Sequence, residues 1–290
     1  MEIAIRYFSI FGSLEWDIDI DKPLEELIEN EIFTNFHTLK TKIDSILVED
    51  DLELLLHAIA VGDRKMFSSF KKAHLNEFEG GISLNKLQLL NILGLEHSRE
   101  SEPQKEYSSQ KLKKEIVKNR ITHKLYFKSQ FLRFWFYFVY PFYDEISEQE
   151  YKNFFTNFNK HLYSYISFTF EELSNLLLEQ TYADKIVEKG SYWDRRIELD
   201  VLALSENGKL IAGECKWKNH KITKKELGKI KDKCNKINLD IDTYALFSKR
   251  GFSNELLSIA DDKLLLFGAE DFEELVKNTT IADLLESSFK

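Results

Sequence analysis

The chain reads as an α/β domain preceded by a mainly helical region, and three observations carry that reading. Two alternating, aliphatic-rich runs, 197–204 and 209–217, flank Asn207-Gly208, a strong short-range hairpin signal. From Thr169 onward, helical and extended patterns follow one another in the order αβββαβ. Between Leu52 and Leu93, by contrast, three helical stretches succeed one another. The expected division is an acidic N-terminal segment plus a winged-helix-like domain over 1–128, an aromatic helical connector over 129–167, and the α/β domain over 168–290.

In the first 50 residues, Leu24, Leu27, Ile28 and Ile32 fall at helical spacing after Pro23, which predicts a helix there and assigns it no function. Helices are then expected from Leu52 to Val61, ending at Gly62, and from Arg64 to Leu75. A third is expected from Ser83 to Leu93, stopped by Gly94. Extended pieces, Leu95–Glu100 and Ile121–Phe127, enclose a Ser/Lys-rich stretch. Three helices and a two-stranded ribbon form a winged-helix pattern. Its third helix would be the DNA-recognition helix, and Ser101–Arg120 a long basic wing. The same pattern serves equally as a protein-docking spacer, since the third helix offers only Lys86 as a clear phosphate partner.

In the connector, Phe154, Phe155, Phe158, Leu162 and Tyr165 recur at helical spacing and read as core. The α/β domain opens with a helix from Thr169 to Thr181, followed by extended segments at 185–193, 197–204 and 209–217. A helix at 224–238 is introduced by Thr223, with Glu226 placed to complete a capping box. A strand Thr243–Ser248, a helix Ser253–Ala260 and a strand Lys263–Phe267 complete the order. The step from Trp217 to Tyr244 through the lysine-rich helix should be a right-handed crossover between parallel strands.

A chain of 290 residues, 31% charged and 43% hydrophobic, is long enough for two domains and ordinary for a soluble protein. Its two cysteines, Cys215 and Cys234, make neither a disulfide framework nor a zinc-ligand spacing, so a reducing, cytoplasmic setting is expected. Met1–Ile10 contains Glu2 and Arg6 and does not read as a signal peptide. The aromatic run Phe131–Tyr143 is too short to span a bilayer and includes Arg133, so no membrane association is expected. The net charge of −9 is uneven. Residues 1–60 hold 14 acids against 4 Lys/Arg. Residues 214–236 hold nine lysines against Glu214, Glu226 and Asp232, and residues 105–128 hold eight Lys/Arg against two acids. Either basic patch could be a solvated surface or a phosphate contact.

The densest chemistry lies in the hairpin. Glu214 and Lys216 share one face of their strand because side chains alternate. A three-residue loop, Glu206–Gly208, would pair Ser205 with Lys209 and set Asp200 opposite Glu214. A two-residue loop would instead separate the two acids onto opposite faces. The first register brings two carboxylates and an ammonium together, which suits a divalent metal site.

An aspartate ending an apolar strand and Glu-x-Lys on the next resemble the PD-(D/E)xK nuclease superfamily. More narrowly, Tyr192-Trp193-Asp194-Arg195-Arg196, Glu198-Leu199-Asp200, Gly213-Glu214-Cys215-Lys216-Trp217 and the upstream Phe131-Leu132-Arg133-Phe134-Trp135-Phe136 with Pro141 are similar to the nuclease-like C-terminal region of archaeal-type ATPases. Those proteins usually begin with an ATPase module. Here no Gly-x-x-x-x-Gly-Lys-Ser/Thr stretch occurs, so ATP hydrolysis is not expected of this chain.

The resemblance implies a restriction-endonuclease-like core and metal-dependent cleavage of DNA. It implies Mg²⁺ or Mn²⁺ bound by Asp200, Glu214 and the backbone carbonyl of Cys215, with Lys216 beside the attacking water. Glu171 matches the acid that often completes the metal shell, and its neighbour Glu172 stays open as an alternative. Lys218, Lys221, Lys224 and Lys225, around the start of the lysine-rich helix, are expected to hold the nucleic-acid backbone. Two further readings remain: a catalytically silent DNA- or partner-binding protein, acting as effector half of a separate ATPase system or through self-association, and a winged-helix regulator with a structural C-terminal domain.

Overall fold

The computed structural model describes residues 1–14, 16–100, 111 and 121–278. They form an α/β protein of two compact units, one built from described residues of 1–95 and 124–170 and the other from 96–100, 121–123 and 171–278. The basic wing expected over Ser101–Arg120 lies, apart from Lys111, outside the described residues. No helix among them is long and apolar enough to cross a membrane.

The first unit is mainly helical. Helix α1 (Glu2–Phe11) is followed by α2 (Leu24–Leu27), which starts after Pro23 as expected and runs into a π-helical turn, Ile28–Phe33; α3 spans Phe36–Ile46. Helices α4 (Asp50–Ala60), α5 (Met66–Lys72) and α6 (Glu77–Leu89) come next, then β1 (Leu93–Glu96) and β2 (Lys124–Phe127), which pair as a two-stranded sheet. Lys65, between α4 and α5, bridges antiparallel to Lys124 of β2. The third helix begins six residues earlier than the expected Ser83. Asn76 caps it by accepting from the Phe78 and Glu79 amides, and the Glu79 carboxylate returns to the Asn76 N–H. Gly94 stops no helix; it lies in β1, where a Cβ would collide with the Tyr126 ring.

The aromatic segment forms α7 (Gln130–Phe134), a π-helical turn (Trp135–Val139), a 3₁₀ turn (Tyr140–Phe142) and α8 (Tyr143–Ser147). Helix α9 then runs unbroken from Lys152 to Thr181, so the helix expected to start at Thr169 is its C-terminal part. Phe154, Phe158, Leu162 and Tyr165 are buried, as their spacing implies, while Phe155 is only half-buried. Arg133 is buried among them because all its demands are met. It donates to the Tyr165 carbonyl (2.6 Å) and Thr169 Oγ1 (3.1 Å), and lies over the Tyr165 and Phe168 rings.

The second unit is built on a five-stranded mixed sheet of order β3-β6-β7-β8-β9: β3 (Ile186–Glu188), β6 (Val201–Ser205), β7 (Leu210–Lys216), β8 (Thr243–Ser248) and β9 (Leu264–Phe267). Strands β4 (Tyr192–Trp193) and β5 (Glu198–Leu199) form a separate antiparallel pair. β3, β6 and β7 are antiparallel neighbours, while β7, β8 and β9 run parallel. The parallel step from β7 to β8 passes through α10 (Lys224–Lys236), whose Leu227, Ile230 and Cys234 pack on Leu202, Ala212, Leu246 and Leu264. Short α11 (Asn254–Leu257), capped by Ser253, and α12 (Ala269–Asn278) flank β9. The capping box expected at Thr223 does not form: Thr223 makes no side-chain cap, and Glu226 turns to Lys229 at 2.8 Å.

Residues 96–100 belong with this unit through buried bonds. Glu96 accepts from the Ser191 N–H and hydroxyl, and Arg99 donates to the carbonyls of Gly190, Ser191 and Leu202. From the other side of the insertion, the Thr122 carbonyl accepts from Trp193 Nε1.

Gly213 sits in the central strand where nothing larger fits. A Cβ there would lie 2.9 Å from the Ala245 carbonyl and 3.0 Å from Val201 Cβ, and neither can yield without moving a strand. Gly213→Ala is therefore expected to cost about 1–3 kcal/mol. The check is a lower denaturant midpoint at unchanged slope; an unshifted midpoint would refute the close packing.

Candidate functional site

The hairpin register brings the acids together. Val201 pairs with Gly213, Leu202 with Ala212, Ala203 with Ile211 and Leu204 with Leu210. The loop is the three-residue Glu206–Gly208: Ser205 N–H donates to the Lys209 carbonyl (3.0 Å), and Gly208 takes φ 76°, open to glycine without strain. Continuing that register one step sets Asp200 against Glu214. The expected strand 197–204 is, however, broken at Asp200, with β5 ending at Leu199 and β6 starting at Val201.

At the break the Asp200 carboxylate takes over the role of ladder partner. Its Oδ2 accepts the Cys215 N–H at 2.8 Å, a bond the straight strand would have supplied from backbone. The buried amide of Asn175, on α9, fixes the backbone there, donating to the Asp200 carbonyl (3.3 Å) and the Glu171 carbonyl (3.0 Å).

Glu214 is buried with an ammonium on each oxygen: Lys216 Nζ lies 2.6 Å from Oε1 and Lys233 Nζ 2.7 Å from Oε2. Burial, reinforced by the Glu214 charge, pushes the Asp200 carboxyl up to about 6 despite the two lysines. For Lys216, burial works against the charge, but Glu214 and Asp200 outweigh it and hold the ammonium above its ordinary range. The Cys215 thiol is raised well above normal by burial and by the nearby Asp200 and Glu171 charges, so it is neither a nucleophile nor a thiolate ligand.

Glu171 lies at the start of the second unit's part of α9, close enough to act on Cys215, and Glu172 beside it is buried. Cys215 points to the face opposite Glu214 by strand alternation. Among the described residues no three His, Cys, Asp or Glu side chains gather as a metal-binding group. Two carboxylates suit a hard ion that keeps much of its water, as Mg²⁺ does, better than a full protein cage.

Of the lysines expected on nucleic acid, Lys221, Lys224 and Lys225 are exposed at the start of α10, and Lys224 lies 3.6 Å from Glu255. Lys218 is half-buried and acts on Glu226. Burial opposes ionisation of Glu226, but its bond to Lys229 and the nearby lysine charges hold its carboxyl below its ordinary range. Two site residues were missed by sequence reasoning. Lys233 adjoins the apolar stripe of α10, and a helical side chain leans toward the helix N-terminus, here toward Glu214. Asn175, beside Ser174, lies among Leu173, Leu176, Leu177 and Leu178, a pattern that signals a buried polar role without saying which.

Fold and site together define an α/β protein with a carboxylate–lysine cluster beside the end of its central strand. A family model described as archaea bacterial proteins of unknown function (DUF234) matches residues 135–230, from the aromatic segment into the first half of α10. No curated protein and no solved structure matches the chain.

Proposed function

We propose that this protein is a divalent-metal-dependent deoxyribonuclease of the PD-(D/E)xK type, with a winged-helix-like module in its first unit. The observation that carries the reading is the β6–β7 register, which sets Asp200 beside Glu214 at the end of the ladder, with Lys216 on the Glu214 carboxylate. The order α4, Lys65 bridge, α5, α6, β1, β2 supports the winged-helix part.

Asp200, Glu214 and the Cys215 carbonyl would hold Mg²⁺ or Mn²⁺, which supplies Lewis acidity and an acidified water when bound. Lys216, whose acidic neighbours hold its ammonium above its ordinary range in the metal-free site, would supply positive charge beside the reacting phosphate. Asn175 holds the Asp200 backbone at the strand break and thereby aims its carboxylate. Lys218, Lys221, Lys224 and Lys225 would grip the substrate backbone.

The test is a cleavage panel in Mg²⁺ and Mn²⁺ over single-stranded, duplex, flapped and branched DNA. At least one form should be cut, and chelator should stop it. No cleavage of any form in either metal refutes the enzyme. The second reading is a silent fold that binds DNA or a partner, as effector half of a separate ATPase system or by self-association. It draws support from the pairing of both Glu214 oxygens with lysine. It also draws support from α6, which exposes Phe78 (78%), Ile82 (44%) and Leu89 (79%) while Lys86 is tied to Glu49. Such a face suits protein docking better than phosphate.

A further inference from the structure

We propose that Lys233 is a phosphate-binding residue of this site, held in reserve on Glu214 and transferred to the nucleic-acid backbone when a divalent cation takes that carboxylate. The inference rests on the reading that Asp200 and Glu214 bind a metal, but its test does not depend on cleavage.

The lysines are unevenly distributed. Both ammoniums sit on Glu214, one per oxygen, while Asp200 takes a backbone N–H. Two carboxylates and two ammoniums balance. A divalent ion arriving on the carboxylates leaves two positive charges in excess within a few ångströms, in a poorly solvated setting where such an excess strongly favours an incoming anion. The same ion competes with the lysines for the Glu214 oxygens.

Lys233 is the partner with room to leave. Lys216 stands on β7, paired with Ser248 of β8, and its side chain is 17% exposed; Lys233 stands on α10 and is 28% exposed. Two helical turns before it, Lys225 occupies the same face of α10 and is exposed, with Lys229, paired to Glu226, between them, so a backbone gripped by Lys233 would continue toward Lys225. A freed ammonium on a phosphate oxygen forms a charge-assisted bond of the stronger kind.

Two measurements test this. In anisotropy titrations of a labelled duplex, wild type should bind more tightly in Ca²⁺ or Mg²⁺ than in chelator, with a salt dependence steeper by about one counterion. Lys233→Gln should lose about tenfold of that ion-dependent gain, and Lys233→Arg should keep it. Calorimetry without DNA should show Lys233→Gln binding Mn²⁺ at least as tightly as wild type, since a competitor is gone. On the unmodified protein, acetylation footprinting read by mass spectrometry should find Lys233 more reactive when Mg²⁺ is added and protected again by the duplex. The proposal is overturned by any of three results: no ion-dependent gain in wild type, a full gain in Lys233→Gln, or Lys233 reactivity indifferent to the cation.

Discussion

Lys216→Ala is expected to abolish metal-dependent nicking of plasmid while leaving Mg²⁺ binding intact or slightly tighter. The loss should be about 10³-fold, roughly 4 kcal/mol, the scale on which a fixed charge or donor aimed at a transition state counts. Metal binding survives because Lys216 competes with the ion for Glu214, at 2.6 Å from Oε1, and supplies no ligand. The fold should survive because Lys233 still neutralises the other oxygen. Nicking assays paired with calorimetry on wild type and variant decide it. A variant that cuts at the wild-type rate removes Lys216 from the chemistry, whatever else is true of the site.

Asp200→Asn should stop cleavage and metal binding yet make the metal-free protein more stable above neutrality. The carboxyl is raised to about 6 by burial and by Glu214, well above its value in an unfolded chain. A group raised in this way contributes stability that is complete below about pH 4 and lost as pH rises through about 6. Above that, keeping the buried charge costs up to about 3 kcal/mol, from roughly two pH units at about 1.4 kcal/mol each. Asparagine removes the charge and can still accept the Cys215 N–H through its carbonyl oxygen. Without metal at pH 8 the variant should therefore melt several degrees higher than wild type, and at pH 4 the two should coincide. Saturating Mn²⁺ should reverse the order, because only wild type gains stability from the ion. A variant less stable at pH 8 without metal, or one that binds Mn²⁺ unchanged, contradicts the assignment.

The hairpin was legible in the sequence because its register depends on local chemistry. Gly208 permits the left-handed loop residue, and the one-residue slip of a two-residue loop would have put Asp200 and Glu214 on opposite faces. The strand Thr243–Ser248 was legible to the residue because a buried parallel strand is a continuous apolar run between polar turns. The start of α6 was misplaced although its signal, Asn76 with Glu79 three residues on, was present; the same signal at Thr223 and Glu226 was read as a cap and is not one. The difference is local competition, since Lys229 takes the Glu226 carboxylate on the next turn. The bend at Asp200 and the reach of Lys233 were not legible. Both depend on what a neighbouring element places opposite them, Asn175 in one case and Glu214 in the other, and no periodicity within a single segment encodes that.

The fastening of residues 96–100 onto the second unit bears on how this chain matures during synthesis. Glu96 and Arg99 leave the ribosome 92 to 103 residues before Ser191 and Leu202, the groups they must bind. The described residues of the first unit have all emerged once residue 170 is made, whereas the second cannot close until its strands arrive. In that interval the carboxylate and the guanidinium stay in water, because the groups they will bind are not yet made. Such long-range closure is slow, and it leaves unpaired edges open to other chains. Slow translation or chaperone shelter late in synthesis should thus help this protein more than help given early, and a chain halted near Phe170 would carry the strap with nothing to grip.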